Sequence, residues 1–310
     1  MQNGRKRVHR GRKAVARLES AKKPKLEKST KSPLSLKICG NKEQRWDAVI
    51  RTPDSKLQIP RSILVNGANT EIGFEFVKKF LEFEDVESII AVVVGSETNA
   101  GLEKLTDARV RVVKIASDDV GASIGLAGKK IAALTKNVGI NLVLNCTLKF
   151  EAYQLNEKPD RHKLQKIMME NVTSPLLLTQ TILPILRKSA QTAKDLAIGP
   201  GRCMIVNVAP IQSSLTVNNT GTTILGLANA TGYAMATSAL NQLTRGLAAD
   251  LLPHGIMTIS MMPGVVKSKH EPAAVLNPAD SVQLMVTTLL KLQQHHNGMF
   301  ISLLGNPVDF

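Results

Sequence analysis

Residues 62–83 read SILVNGANTEIGFEFVKKFLEF, and their two halves follow different rules. Ser62-Ile63-Leu64-Val65 is a short apolar run bounded by turn residues, the pattern of a strand buried on both faces. FEFVKKFLEF, after eight intervening residues, places its apolar residues at helical spacing. Between them lies NGANTEIG. Gly67 lets the chain turn sharply off the strand, and Gly73 lets the helix begin close to the sheet with its N-terminal amides aimed at a phosphate. Two glycines in a loop also suit a plain tight turn; their place between first strand and first helix favours an anion-binding one.

The same alternation continues through the chain. Short buried runs occur at Ile89–Val94, Arg109–Ile115, Ile140–Leu144, Met204–Val208, Met257–Met261 and Met299–Leu303. Helical stretches lie between them at 119–136, 161–189, 231–251 and 278–293. Strands alternating with helices mean βαβ units and a parallel sheet covered on both faces. With right-handed crossovers this predicts a doubly wound, Rossmann-like α/β fold over residues 61–310.

The charge sits elsewhere. The chain carries +15 overall, of which +12 belongs to residues 1–60 and +3 to the remainder. Residues 1–37 hold GRKRVHRGRK, AKKPKLEK and KSPLSLK without one aromatic residue, too little apolar surface to offset the entropy of ordering, so a disordered basic tail is predicted. Residues 38–60 are transitional, with Trp46, Val49 and Ile50 able to dock on the body. Lys22-Lys23-Pro24-Lys25 fits a nuclear-import signal read by an import receptor, and the Arg5–Arg17 cluster suits nucleic-acid phosphates. A mitochondrial presequence is the competing reading, weakened by Gly4, Gly11 and the lack of serine before Ser20; a cytoplasmic location with a solvated tail is the third. The tail lacks aromatic residues for stacking bases, which argues against base readout. Three scattered cysteines form no CxxC pair, adjacent His295 and His296 chelate poorly, and no apolar run is long enough to span a membrane. Neither a metal nor a membrane partner is expected.

Taken together, the motifs resemble the short-chain dehydrogenase/reductase family, and within it the small carbonyl reductases of the C-factor/sniffer type. NGANTEIG stands where that family has TGxxxGxG, LNCT (144–147) where it has NNAG, and IVNVAP (205–210) where a strand leads to the catalytic serine. Tyr233-Ala-Met-Ala-Thr237 stands for YxxxK, and ENVTSPLLLTQTILPILRKS (170–189), MMPGVVKS (261–268) and NGMFISLLGNP (297–307) match in order. The resemblance implies an NADP or NAD cofactor held by Gly67, Asn69, Gly73, Asn145, Pro263 and Gly264. It makes Tyr233 the proton donor and Asn171 the residue that helps hold a relay water. It also implies a homodimer through the helices at 161–189 and 231–251.

The departures are equally consistent. The catalytic serine is Pro210, which has no side-chain donor, and the lysine is Thr237. The middle glycine of the phosphate loop is Glu71, whose carboxylate would repel a pyrophosphate unless it turns outward. Gly95 stands where an acid or arginine selects the ribose, and Ala116 where an aspartate follows the third strand, with Asp118 close by. Lys149, Lys158 and Lys163 lie in the segment between LNCT and the long helix, but nothing in the sequence marks one of them as a replacement for the missing ammonium. Each lost oxyanion donor costs about 2.7–4 kcal/mol of transition-state stabilisation. The sequence therefore predicts a family member impaired in hydride transfer, retained as a nucleotide-binding or regulatory module. An active carbonyl reductase with an altered site, and a nucleic-acid-associated protein using its basic tail, are the alternatives.

Overall fold

The computed structural model describes residues 57–96, 99–116, 120–153, 156–217, 230–268 and 270–310. The tail at 1–37, most of the transitional segment and Asp118 lie outside them. Eight strands form one sheet: β1 (Ser62–Asn66), β2 (Ser88–Val94), β3 (Val110–Ile115), β4 (Leu142–Asn145), β5 (Met204–Val208), β6 (Met257–Met262), β7 (Phe300–Ser302) and β8 (Pro307–Val308). Their order is β3-β2-β1-β4-β5-β6-β7-β8. The first seven pair in parallel, giving the Rossmann-like architecture, and β8 returns antiparallel on β7. A two-residue return strand carries no periodicity to read, so it was invisible in the sequence.

The alternation of side chains sorts the core into two layers. Ile63 and Val65 of β1 face helices α1 (Glu71–Leu81) and α7 (Pro278–Leu289), packing with Phe76, Val77, Val282 and Met285. Leu64, between them, faces α3 (Val120–Leu134) and the long helix α5 (Ser174–Thr192), among Ile124, Ile131 and Ile182. A further helical turn, α2 (Ala100–Glu103), follows β2. Each such side chain, fully buried, contributes about 1.5–3 kcal/mol of apolar transfer. The predicted helix at 161–189 is interrupted: α4 (Arg161–Met168) passes through a π-helical turn, Met169–Thr173, into α5. The inserted residue re-aims the chain at Asn171. Helix α6 (Thr231–Leu251) completes the second layer.

The C-terminal ends of the strands carry a buried polar row. Asn66 pairs in register with Asn145, Asn145 with Asn207, and Asn207 with Ser260. The Asn66 Nδ2 donates to Asn145 Oδ1 (3.1 Å), Asn145 Nδ2 to Asn207 Oδ1 (2.7 Å), and Asn207 Nδ2 to Thr244 Oγ1 of α6 (2.8 Å). Ser260 also donates to Thr244 Oγ1 (2.8 Å), which itself donates to the Leu240 carbonyl (3.0 Å). Every side-chain donor of the row leads toward α6, so the row ties four strands to that helix. Asn207→Leu leaves the Asn145 amide with no acceptor in a buried site. We expect a stability loss of about 2–4 kcal/mol, orphaning plus lost bonds, read as a lower urea midpoint at unchanged slope.

Candidate active site

Gly67 leaves β1 with φ +83°, the left-handed region, and donates its N–H to the Val92 carbonyl. A Cβ there would lie 2.9 Å from the backbone of Cys146, so the turns after β1 and β4 abut only because it is glycine. Thr70 caps α1: its hydroxyl accepts from the Gly73 amide (3.0 Å) and donates to the Gly67 carbonyl (2.8 Å). Asn69 clamps the turn to β2, donating to the Val94 carbonyl and accepting from its amide, both at 3.2 Å. Glu71 is exposed in the first turn of α1, a position where its charge is solvated. These contacts shape the turn that opens α1, and a helix N-terminus at such a place can meet a phosphate. Gly95 ends β2 with φ +85° and brings neither an acid nor a base to the ribose. Asn145 turns its side chain into the polar row, and both ends of it are engaged there. Pro263 accepts the Ser281 hydroxyl at its carbonyl (2.6 Å), and Gly264 follows with φ +77°.

Asn171 is buried in the π-helical turn. Its Oδ1 accepts from the Lys149 amide (2.9 Å), and its Nδ2 donates to the carbonyls of Lys149 (3.1 Å) and Ile167 (2.9 Å). It therefore fixes the strand-like segment that follows β4. Tyr233, in the first turn of α6, is 6% exposed and meets the Phe150 ring edge-on at 5.3 Å. Burial pushes its phenol far above the ordinary tyrosine range, and no cation among the described residues opposes it. Thr237 is fully buried, and its hydroxyl donates back to the Tyr233 carbonyl (3.0 Å) rather than outward. Pro210 offers only its carbonyl, which accepts the Ser213 hydroxyl (2.5 Å). Ser213 is in turn held by Asn241 Nδ2 (3.0 Å), so this neighbouring serine is no free donor either.

The three lysines are committed elsewhere. Lys149 pairs with Glu170 (3.3 Å), Lys163 with Glu157 (3.2 Å), and Lys158 is exposed. No hydrogen bond or ion pair joins them to Tyr233 among the described residues. The fold thus gathers the turn glycines, Asn171, Pro210, Tyr233, Thr237 and the Pro263-Gly264 turn at the C-terminal ends of the parallel strands, where open α/β sheets bind ligands. Phe150 and the polar row are the parts sequence reading missed. Phe150 lies outside every motif, and a row built across strands needs their register.

The sequence profile described as short chain dehydrogenase matches residues 61–277. The chain belongs to the short-chain dehydrogenase family. Within it the likeness runs to sniffer-type carbonyl reductases. The carbonyl reductase Sniffer of D. melanogaster superimposes with TM-score 0.72 at 26% identity, over 81% of this chain and all of that one. An NADPH-bound carbonyl reductase from chicken fatty liver matches equally, with TM-score 0.72 and 26% identity over 81% of this chain and 99% of that one. The C-signal protein of Myxococcus xanthus is 30% identical over 141 residues, 45% of this chain and 74% of that protein.

Proposed function

We propose that this short-chain dehydrogenase keeps a dinucleotide-binding turn and has lost efficient hydride transfer, acting as a nucleotide-binding or regulatory module. One observation carries the reading. The residue in the lysine position, Thr237, bonds its own helix, so no described residue lowers the Tyr233 phenol that burial has raised. With Pro210 in the serine position, a developing alkoxide would find Tyr233 as its one side-chain donor among the described residues of the motif. The nucleotide is NADP(H), a choice supported by the NADPH-bound chicken relative; the chain's own ribose position, Gly95, favours neither form. Met235, 57% exposed, and Gly246, with open space around it, lie on the outer face of α6, in keeping with a homodimer through α4–α6. The basic residues 1–37 direct the protein to the nucleus or to nucleic acid.

The test is NADPH consumption by the full chain with a panel of small aldehydes and ketones, run beside an active sniffer-type reductase. We expect kcat/KM at least about 10³-fold lower, the order expected for losing one or two donors. Ordinary turnover that Tyr233→Phe abolishes overturns the reading. Added NADPH should still raise the melting temperature, by mass action on a folded-state site.

A further inference from the structure

The segment after β4 is anchored at every second residue. Lys149 is held by Asn171 through both its amide and its carbonyl, and its ammonium reaches Glu170. Glu151 pairs with Lys166 of α4 (2.9 Å). Tyr153 forms a β-bridge with Ala230, the residue before α6, and its hydroxyl accepts the Asp160 amide (3.2 Å). In an extended chain alternate side chains face opposite ways. With the side chains of residues 149, 151 and 153 engaged toward α4, its N-cap and the π-helical turn, Phe150 faces the other side, onto Tyr233 of α6. A second ring closes over it from outside. His270, in the loop between β6 and α7, lies 5.2 Å from the Phe150 ring, and its amide donates to the Ser268 hydroxyl (3.3 Å). The three rings follow one another from the interior outward, phenol, phenyl, imidazole, meeting edge-on and tilted.

We propose that Phe150 occupies the approach to the Tyr233 phenol, so that the chain's own ring lies where a carbonyl substrate would have to sit. Phe150 is then the residue that decides what reaches Tyr233, and His270 reinforces it. The proposal rests on reading Tyr233 as the family's proton-donor position, but not on whether hydride transfer survives. It extends the loss of donors to a loss of access.

The chain has two tyrosines, and peptide mapping tells Tyr233 from Tyr153 without altering either. The full chain is treated with N-acetylimidazole near neutral pH, and acetylation of Tyr233 is followed by mass spectrometry, with thermal melting of each variant. Tyr233 should react far more slowly than a free tyrosine amide. Phe150→Ala should speed it by at least about tenfold, Phe150→Leu should leave it slow, and His270→Ala should raise it by about threefold, because reagent access follows local protection. A Tyr233 that reacts as fast as the free amide in the parent, or a folded Phe150→Ala chain with the parent's rate, overturns the proposal. If Phe150→Ala fails to melt cooperatively, His270→Ala decides: no increase overturns it. Acetylation needs neither nucleotide nor turnover, so this result stands apart from the hydride-transfer assay.

Discussion

Gly73→Ala is expected to remove more than about 3 kcal/mol of stability, the upper range for forcing atoms into a packed site. A Cβ at residue 73 would stand 2.1 Å from the Gly67 carbonyl oxygen. That oxygen is backbone, and it accepts both the Thr70 amide (2.9 Å) and the Thr70 hydroxyl (2.8 Å). Moving it away breaks the bonds that set the turn, and the cap on Gly73 goes with them. Gly67→Ala adds a left-handed φ, about 1–2 kcal/mol for a residue with a Cβ, to a clash 2.9 Å from the Cys146 backbone. Gly125→Ala is the control. It lies within α3 with nothing inside 4 Å of its would-be Cβ, so alanine should stabilise by roughly 0.5–1 kcal/mol. In thermal unfolding, Gly73→Ala should lower Tm by about 6–12 °C, from the usual 2–4 °C per kcal/mol at this size. A drop under about 3 °C would mean the turn relaxes freely, and its geometry would not be a constraint on any bound phosphate.

Most of the fold was legible because each buried strand is a short apolar run and each helix keeps its period. The run Met204–Val208 and the helix Thr231–Leu251 match their observed limits, and other edges move by a residue or a few. What the sequence hid has a physical cause in each case. The π-helical turn at Met169–Thr173 adds one residue to a helix that is apolar on several sides, which leaves the periodicity almost unaltered. The polar row looks like single asparagines ending apolar strands, and it becomes a row only through register. The candidate site was legible as positions only through the resemblance, which gave Tyr233, Asn171, Thr237 and Pro210 by their places in matched segments. The direction in which each side chain acts could not be read that way. Asn171 turned out to hold backbone, and Thr237 to hold its own helix. Phe150, which meets Tyr233 directly, belongs to no pattern at all.

The two proposed deficits, missing donors and a covered phenol, predict an order of effects when the site is rebuilt. Pro210→Ser with Thr237→Lys restores the hydroxyl and ammonium. Pro210 is a tolerant place for this, since its carbonyl, which binds Ser213, survives the change. If Phe150 covers the phenol, this double variant should stay within about tenfold of the parent, because no donor helps a carbonyl that cannot arrive. Adding Phe150→Ala should then lift single-turnover NADPH consumption with a small aldehyde by at least about 10²-fold, the effect of one well-placed donor. The pH profile separates repair from accident. In the parent, burial holds the phenol protonated well past its usual ~10. A nearby ammonium favours the phenolate and pulls that value down. Reduction uses the protonated phenol as acid, so the triple variant should lose rate as pH rises through the lowered value, while any parent rate shows no such alkaline fall in that range. A double variant that gains 10² on its own would clear Phe150 of blocking the site. A triple variant that folds and binds NADPH yet stays inert would place the defect outside these three residues.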